Sequence, residues 1–219
     1  MKLDRAWYVA IEGPIGVGKT SLARLLGEYL NGDILLDLEN DSGEDNPFLE
    51  GFYREKEKYV FQTEIFFLLN RYRQQKKLYQ HNLFNRVTIT DYIFDRNRIF
   101  AYINLKGDEI RLYEDIYSVL KHKVISPDLL IYLQADMDTL KKRIKLRGRN
   151  FEKDITDEYL DEVNKAFNNY FFHYTQSPLL IVNTNEIDFV EKKGDLEDLI
   201  KKILSHKKGT EYYSPRTIV

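Results

Sequence analysis

The chain has 219 residues, with 33 Lys and Arg against 35 Asp and Glu, for a formal net charge of −2. That length suits one α/β domain with a sizeable core. The near-neutral balance excludes a chain built for bulk attraction to nucleic acid or an anionic membrane. There is no cysteine, so disulfides and thiolate metal sites are excluded and a reducing compartment is compatible.

No apolar run approaches the roughly 18 residues of a membrane span. The first strand begins so near the N-terminus that no room is left for a signal peptide, and a soluble cytoplasmic protein is expected. The 16 Tyr and 13 Phe would suit the walls of a site for a flat ligand, although core packing accounts for most such residues.

Trp7–Ile11 reads as a buried strand and Ser21–Leu30 as an amphipathic helix. Between them stands GPIGVGKT, Gly13 to Thr20, which fits G-x-x-x-x-G-K-[ST] in the strand–loop–helix setting that gives the pattern meaning. Such a loop turns its backbone N–H groups toward an anion at the helix N-terminus. Gly13, Pro14, Ile15, Gly16, Val17, Gly18, Lys19, Thr20 and Ser21 are therefore expected to bind a nucleoside triphosphate. Lys19 would reach the β- and γ-phosphates, and the Thr20 hydroxyl would hold Mg²⁺.

Four further strands are expected, at Ile34–Leu38, Val87–Thr90, Leu129–Leu133 and Leu179–Val182, making a five-stranded sheet. Their alternation with helical stretches implies parallel strands joined by crossover helices. Helices are expected at Lys56–Gln80, Leu112–Lys123, near Met137–Leu146, at Asp157–Tyr174 and at Asp195–His206. One domain spans residues 1–206, and 207–219 is a polar tail, frayed or docked on a neighbour.

In doubly wound sheets ligands bind beyond the carboxyl ends of the strands. That rule selects Asp37, Glu39 and Asp41 after the second strand and Asp91 after the third. Asp91 suits Mg²⁺ binding through water, and a carboxylate after the second strand would take the proton from a substrate hydroxyl. Further on, RIKLRGRNFE at 143–152 gathers Arg143, Arg147 and Arg149 around Gly148 at a helix end. Planar, permanently charged guanidiniums spread charge over a transferring phosphoryl group, so residues 143–153 read as a lid over ATP.

The helix from Lys56 carries two stripes. Phe61, Ile65, Leu68 and Tyr72 are expected to face the core. Val60, Glu64, Phe67 and Arg71 form a second, on which Glu64 and Arg71 would meet different atoms of a planar ligand. Gln62 lies about 200° from Glu64 around the helix and cannot face the same pocket.

Together EGPIGVGKT (12–20), DNPFLEGFY (45–53), FQTEIFFLLNRYRQ (61–74), DY (91–92) with IFA (99–101), and RIKLRGRNFE (143–152) resemble the deoxynucleoside kinase family, most closely its bacterial deoxyguanosine kinase branch. The resemblance runs in order over about two-thirds of the chain. It implies a three-layer P-loop kinase fold, Mg²⁺, ATP as donor and a homodimer. By the same resemblance Tyr53 and Glu152 reach the deoxyribose 3′-hydroxyl. Phe100 stacks on the base, Asp91 sits at the Mg²⁺ site, and the lid arginines serve the phosphates.

Glu64 stands where adenosine- and cytidine-directed relatives usually carry Gln. An ionised Glu only accepts hydrogen bonds, matching the N1–H and 2-amino donors of guanine, whereas adenine N1 is itself an acceptor. Deoxyguanosine is therefore the expected substrate, with Arg71, Arg96 or Arg98 donating to O6. Broader, deoxyadenosine or deoxycytidine preference is the alternative, and a nucleotide-binding module without catalysis a remoter one. Two departures from the family stand out. Tyr92 follows Asp91 where many members have Arg, so that Arg is missing or replaced by Arg96 or Arg98. The loop after the second strand is about two residues longer than expected, which leaves Asp37 and Glu39 both open as general base.

Overall fold

The computed structural model describes residues 6–37, 46–84, 87–149, 152 and 155–214. β1 (Trp7–Glu12) is buried along its whole length, as befits a strand with helices on both faces of a parallel sheet. Its side chains alternate between those faces. Val9 and Ile11 pack with Leu22 and Leu26 of α1 (Lys19–Leu30) and with Leu199 and Ile203 of α8 (Lys193–Ser205). Tyr8 and Ala10 face the other way, toward Ile99 and Ile103 of α4 (Arg96–Asn104) and Phe167 and Phe171 of α7 (Asp157–Phe172). The result is the expected three-layer arrangement.

The sheet has six strands among the described residues, not the five expected from sequence. β2 (Asp33–Leu35), β3 (Val87–Thr90), β4 (Leu129–Gln134), β5 (Leu179–Asn183) and β6 (Thr210–Tyr213) join β1 in the order β2-β3-β1-β4-β5-β6. Every pairing is parallel. The sixth strand comes from the segment read as a polar tail. Thr210, Glu211, Tyr212 and Tyr213 pair with Leu179 to Val182. An edge strand with alternating exposure carries no apolar run, which is why its sequence reads as a tail. His206 Nδ1 lies 3.0 Å from Glu211 Oε2 and further ties the strand to α8.

β2 ends at Leu35, so Leu36 and Asp37 have already left the sheet. Gln74 holds this turn through a 3.2 Å bond to the Leu36 carbonyl. Gln74 belongs to α3 (Lys56–Phe84). The most buried stripe of α3 runs through Val60, Glu64, Leu68, Arg71, Gln75 and Leu78. Phe61, Ile65 and Tyr72, expected as core, are only partly buried. Polar side chains thus occupy the inner face of this helix, because that face walls a site.

Two helices were not foreseen. α2 (Leu49–Arg54) has six residues, too few for periodicity to register. α4 buries Arg96, Asn97 and Asn104 beside its apolar residues, which blurs its pattern. α2, α3, α4 and α5 (Gly107–Lys121) share a third core around Phe52, Leu68, Phe94 and Tyr113. α6 (Met137–Arg147) starts at the Asp136 cap, which accepts from Thr139 N at 2.8 Å. It ends at Gly148 with φ 67°. Among the described residues no helix is long and apolar enough to cross a membrane.

Candidate active site

β1 delivers its C-terminus to the middle of the sheet, between β3 and β4, and the phosphate loop starts there. Gly13 has φ +153°, and a Cβ on it would stand 2.5 Å from the Leu133 carbonyl oxygen. At Gly16, φ +82°, a Cβ would meet Ile144 Cγ1 at 2.6 Å. Both positions demand glycine, and the second lets α6 lie directly against the loop. Gly18 caps α1 without any side-chain bond, and the first turn holds no acidic residue. The helix therefore presents its positive end and its N–H groups to an anion.

Lys19 bends back over the loop, its Nζ donating to the carbonyls of Gly13 at 2.8 Å and Pro14 at 2.9 Å. Burial, and then the Arg96 guanidinium, pull its pKa down to about 7. The negative charge of a phosphate beside it would oppose both effects by favouring the ammonium form.

Beneath the loop lies a buried cluster of charge. Asp37 accepts from Arg71 Nε at 3.1 Å and Nη2 at 2.7 Å, and from Arg96 Nη1 at 2.8 Å. Burial alone would raise its pKa, but Arg71 and Arg96 outweigh burial and hold the carboxyl below the usual range. Arg96 Nη2 also meets Glu12 Oε1 at 3.0 Å. Glu12 in turn accepts from the Gly13 and Ile93 N–H groups. The adjacent Asp95 is also buried but is held by other helices: it accepts from Tyr117 of α5 at 3.0 Å, from Tyr170 of α7 at 2.8 Å, and from Lys121. Arg71 Nη1 donates to Asn97 at 2.5 Å. Arg98 turns outward to Glu114.

Asp91 is wholly buried. Thr20 Oγ1 donates to its Oδ2 at 2.5 Å, and the Asp37 N–H donates to its Oδ1 at 2.6 Å. Burial, reinforced by the charge of Asp37, raises the pKa of Asp91. The residues expected to hold a metal are thus in contact. Among the described residues no group of three or more His, Asp or Glu side chains is placed to hold a cation by itself. Two hard oxygen donors suit Mg²⁺, which commonly keeps waters and shares phosphate oxygens with its protein.

A cavity of about 760 Å³ opens above the loop, with Lys19, Thr20, Arg96, Arg147 and Glu152 on its walls. Arg147 grips Glu152 with two N–H groups, one of them Nε at 3.1 Å. Arg149 Nη1 lies 4.0 Å from the same carboxylate. Arg143 serves the scaffold, donating to the Val17 carbonyl at 3.1 Å and to the hydroxyl and carbonyl of Thr184 at 2.8 and 2.7 Å. Residues 185–192 close the far side; this wall was not anticipated, since a polar loop after a strand carries no motif.

A second, smaller cavity of about 40 Å³ adjoins the first, with Ile15 and Phe100 lining both. Glu64, Phe67, Arg71, Asn104 and Tyr159 line it too. Glu64 is 4% exposed, and its Oε1 accepts from Asn104 Nδ2 at 2.7 Å. Phe100 is set edge-on against Phe167, centroids 5.6 Å apart. Tyr53 belongs to α2, but its side chain, like Glu39 and Asp41, lies outside the described residues. Neither Asn104 nor Glu12 was singled out in the sequence, although Glu12 directly precedes the loop.

The arrangement joins a cavity above the glycine-rich loop to a small, aromatic-walled one, with the Asp37 carboxylate, Arg71 and Arg96 close by. A family model for deoxynucleoside kinases matches residues 9–207. A deoxyguanosine kinase of Bacillus subtilis is 35% identical over 211 residues, covering 94% of this chain and 98% of the relative. A deoxyadenosine kinase of Lactobacillus acidophilus is 28% identical, covering 89% and 94%. Among solved structures, the deoxyadenosine kinase from M. mycoides with bound dATP is similar, with TM-score 0.78 and 27% identity over 90% of this chain and all 100% of that one. The family model spans nearly the whole chain and the Bacillus relative is similar along it: the chain belongs to the deoxynucleoside kinase family.

Proposed function

We propose that the enzyme transfers the γ-phosphate of ATP to the 5′-hydroxyl of deoxyguanosine, giving dGMP and ADP. One observation carries the choice of base: a buried glutamate, Glu64, on the wall of the inner cavity. A carboxylate accepts both N1–H and the 2-amino group of guanine but faces the adenine N1 lone pair with a lone pair of its own. Sites built on such bonds discriminate by roughly 10⁴-fold, because a mismatched base leaves buried groups unpaired. The inner cavity, about 40 Å³, has room for a water molecule but not for a purine, so it must widen on binding. The short helix α2, which contributes Leu49 and Phe52 to its wall, is the wall to move.

Asp37 takes the hydroxyl proton. Arg71 and Arg96 orient its carboxylate and keep it ionised, and Arg71 is thereby assigned to Asp37 rather than to O6. Lys19, Arg147 and Arg149 surround the phosphates, while Arg143 fixes α6 to the loop beneath them. Thr20 and Asp91 would hold Mg²⁺, which when bound offsets charge on the phosphate oxygens. Little covalent work falls to the protein, and positioning with preset charge supplies the rate. Tyr53 and Glu152 are assigned to the 3′-hydroxyl by family resemblance, and Glu152 must then loosen from Arg147 as the sugar arrives.

The relatives include deoxyguanosine, deoxyadenosine and deoxyadenosine/deoxycytidine kinases, which keeps a broader, deoxyadenosine or deoxycytidine preference as the second reading. Turnover of each of the four deoxynucleosides with ATP and Mg²⁺ separates the two: deoxyguanosine should have the highest kcat/KM. A homodimer is part of the proposal. Exposed Tyr102, Val119 and Phe172 on α4, α5 and α7 support it as apolar surface to cover. Sedimentation at micromolar concentration should give twice the mass of one chain.

A further inference from the structure

We propose that Asn104 reads the 2-amino group of guanine, so that the Glu64–Asn104 pair, not Glu64 alone, separates guanine from hypoxanthine. This rests on the deoxyguanosine reading above. Asn104 closes α4 and is 8% exposed. Its Nδ2 donates to Glu64 Oε1 at 2.7 Å and to the Tyr159 hydroxyl at 3.3 Å. Because a carboxylate only accepts, the amide has one workable orientation, with its NH₂ toward Glu64. That leaves Asn104 Oδ1 buried on the cavity wall with no hydrogen-bond partner among the described residues. Buried carbonyl oxygens are seldom left so, and the orphan calls for a donor brought by a ligand.

Guanine brings such a donor. Its N1–H and one amino hydrogen go to Glu64, whose carboxylate has about four acceptor positions and counts Asn104 among its donors. The second amino hydrogen points to the side of that carboxylate, where an acceptor in contact with Glu64 is needed. Asn104 Oδ1 belongs to the group already bonded there. Hypoxanthine keeps N1–H but has no amino group, so it satisfies Glu64 in part and Asn104 not at all. Thr63 Oγ1 on the same wall is also buried without a partner among the described residues, but a hydroxyl turns to donate or accept and so distinguishes less.

The test compares kcat/KM for deoxyguanosine, deoxyinosine and deoxyadenosine in the wild type, Asn104→Leu and Asn104→Ser, with thermal melting to confirm folding. In the wild type deoxyguanosine should exceed deoxyinosine by about 100-fold, two hydrogen bonds at about tenfold each. Both variants should shrink that ratio about tenfold, mainly by loss of deoxyguanosine turnover. N²-methyldeoxyguanosine, with one amino hydrogen, should be at least about tenfold poorer than deoxyguanosine for the wild type, a measurement that needs no variant to fold. A ratio unchanged within about twofold, because both substrates fall together or neither falls, overturns the role of Asn104 and leaves the deoxyguanosine reading standing. So does equal use of the methylated substrate. If the wild type prefers deoxyadenosine to deoxyguanosine, both fall.

Discussion

Arg96 Nη1 lies 2.8 Å from Asp37 Oδ2, a buried contact between the first residue of α4 and the residue two beyond the end of β2. The position after Asp91 is filled by Tyr92, which is itself fully buried. The guanidinium at Asp37 from this side comes from Arg96, farther along the chain. Arg96 also bonds Glu12, so one cation on α4 ties the ends of β1 and β2 together at the floor of the phosphate cavity.

Arg96→Ala should lower kcat at least about 100-fold, because the carboxylate of Asp37 loses an orienting partner. It should also destabilise the fold by about 3–5 kcal/mol, the usual result of removing one member of a buried ion pair. Arg98→Ala, two residues on, removes a half-exposed pair with Glu114 and should cost about 1 kcal/mol or less, with kcat near wild type. Steady-state kinetics and thermal melts of the two variants check the contrast.

Asp37→Asn keeps the shape but not the basicity or the charge. A fall in kcat of about 10²- to 10⁴-fold is expected if Asp37 is the general base. Glu39→Gln should change kcat little. The reverse pattern would move the base to Glu39.

The depressed pKa of Lys19 predicts proton uptake on nucleotide binding. Burial and Arg96 hold this amine at about 7, so at pH 8.5 most of it is neutral. Phosphates favour the charged form and raise the pKa toward its ordinary value, so binding at that pH should take up about one proton and weaken as pH rises further. Titration calorimetry in buffers of different ionisation enthalpy reads the proton count directly. Lys19→Met should abolish the uptake. An unchanged count in that variant would place the proton elsewhere.

Motif-bearing segments were legible because local sequence fixes them. GPIGVGKT sits between a fully apolar strand and an amphipathic helix, and each of β1, β3, β4 and β5 is buried enough to read as an apolar run. The face of α3 was misjudged for the opposite reason. Its buried stripe includes Glu64, Arg71 and Gln75, and periodicity counts polar residues as exposed. The choice between Arg96 and Arg98 could not be made from spacing, since it depends on partners distant in sequence, Asp37 and Glu12 for Arg96 and Glu114 for Arg98. Arg143, Arg147 and Arg149 were read as one group, yet Arg143 is bonded to Thr184, 41 residues away. No local pattern reports such a partner.

β6 gives the C-terminal segment a structural task. Ending the chain after Lys207 would uncover the edge of β5 and remove the partner that Glu211 provides for Lys202 and His206. The melting temperature should drop by about 4–8 °C, equivalent to about 2 kcal/mol for a chain of this size. A melt unchanged by the truncation would mean that β6 contributes nothing to stability.

Replacing Glu64 by Gln bears most directly on the assignment of substrate. The amide offers a donor to adenine N1 and only one acceptor to guanine. In a kcat/KM comparison of deoxyguanosine with deoxyadenosine, the wild type should favour deoxyguanosine. Glu64→Gln should cut deoxyguanosine turnover about 100-fold or more while raising that of deoxyadenosine. A wild type that favours deoxyadenosine, or a variant whose preference is unchanged, would contradict guanine recognition by Glu64.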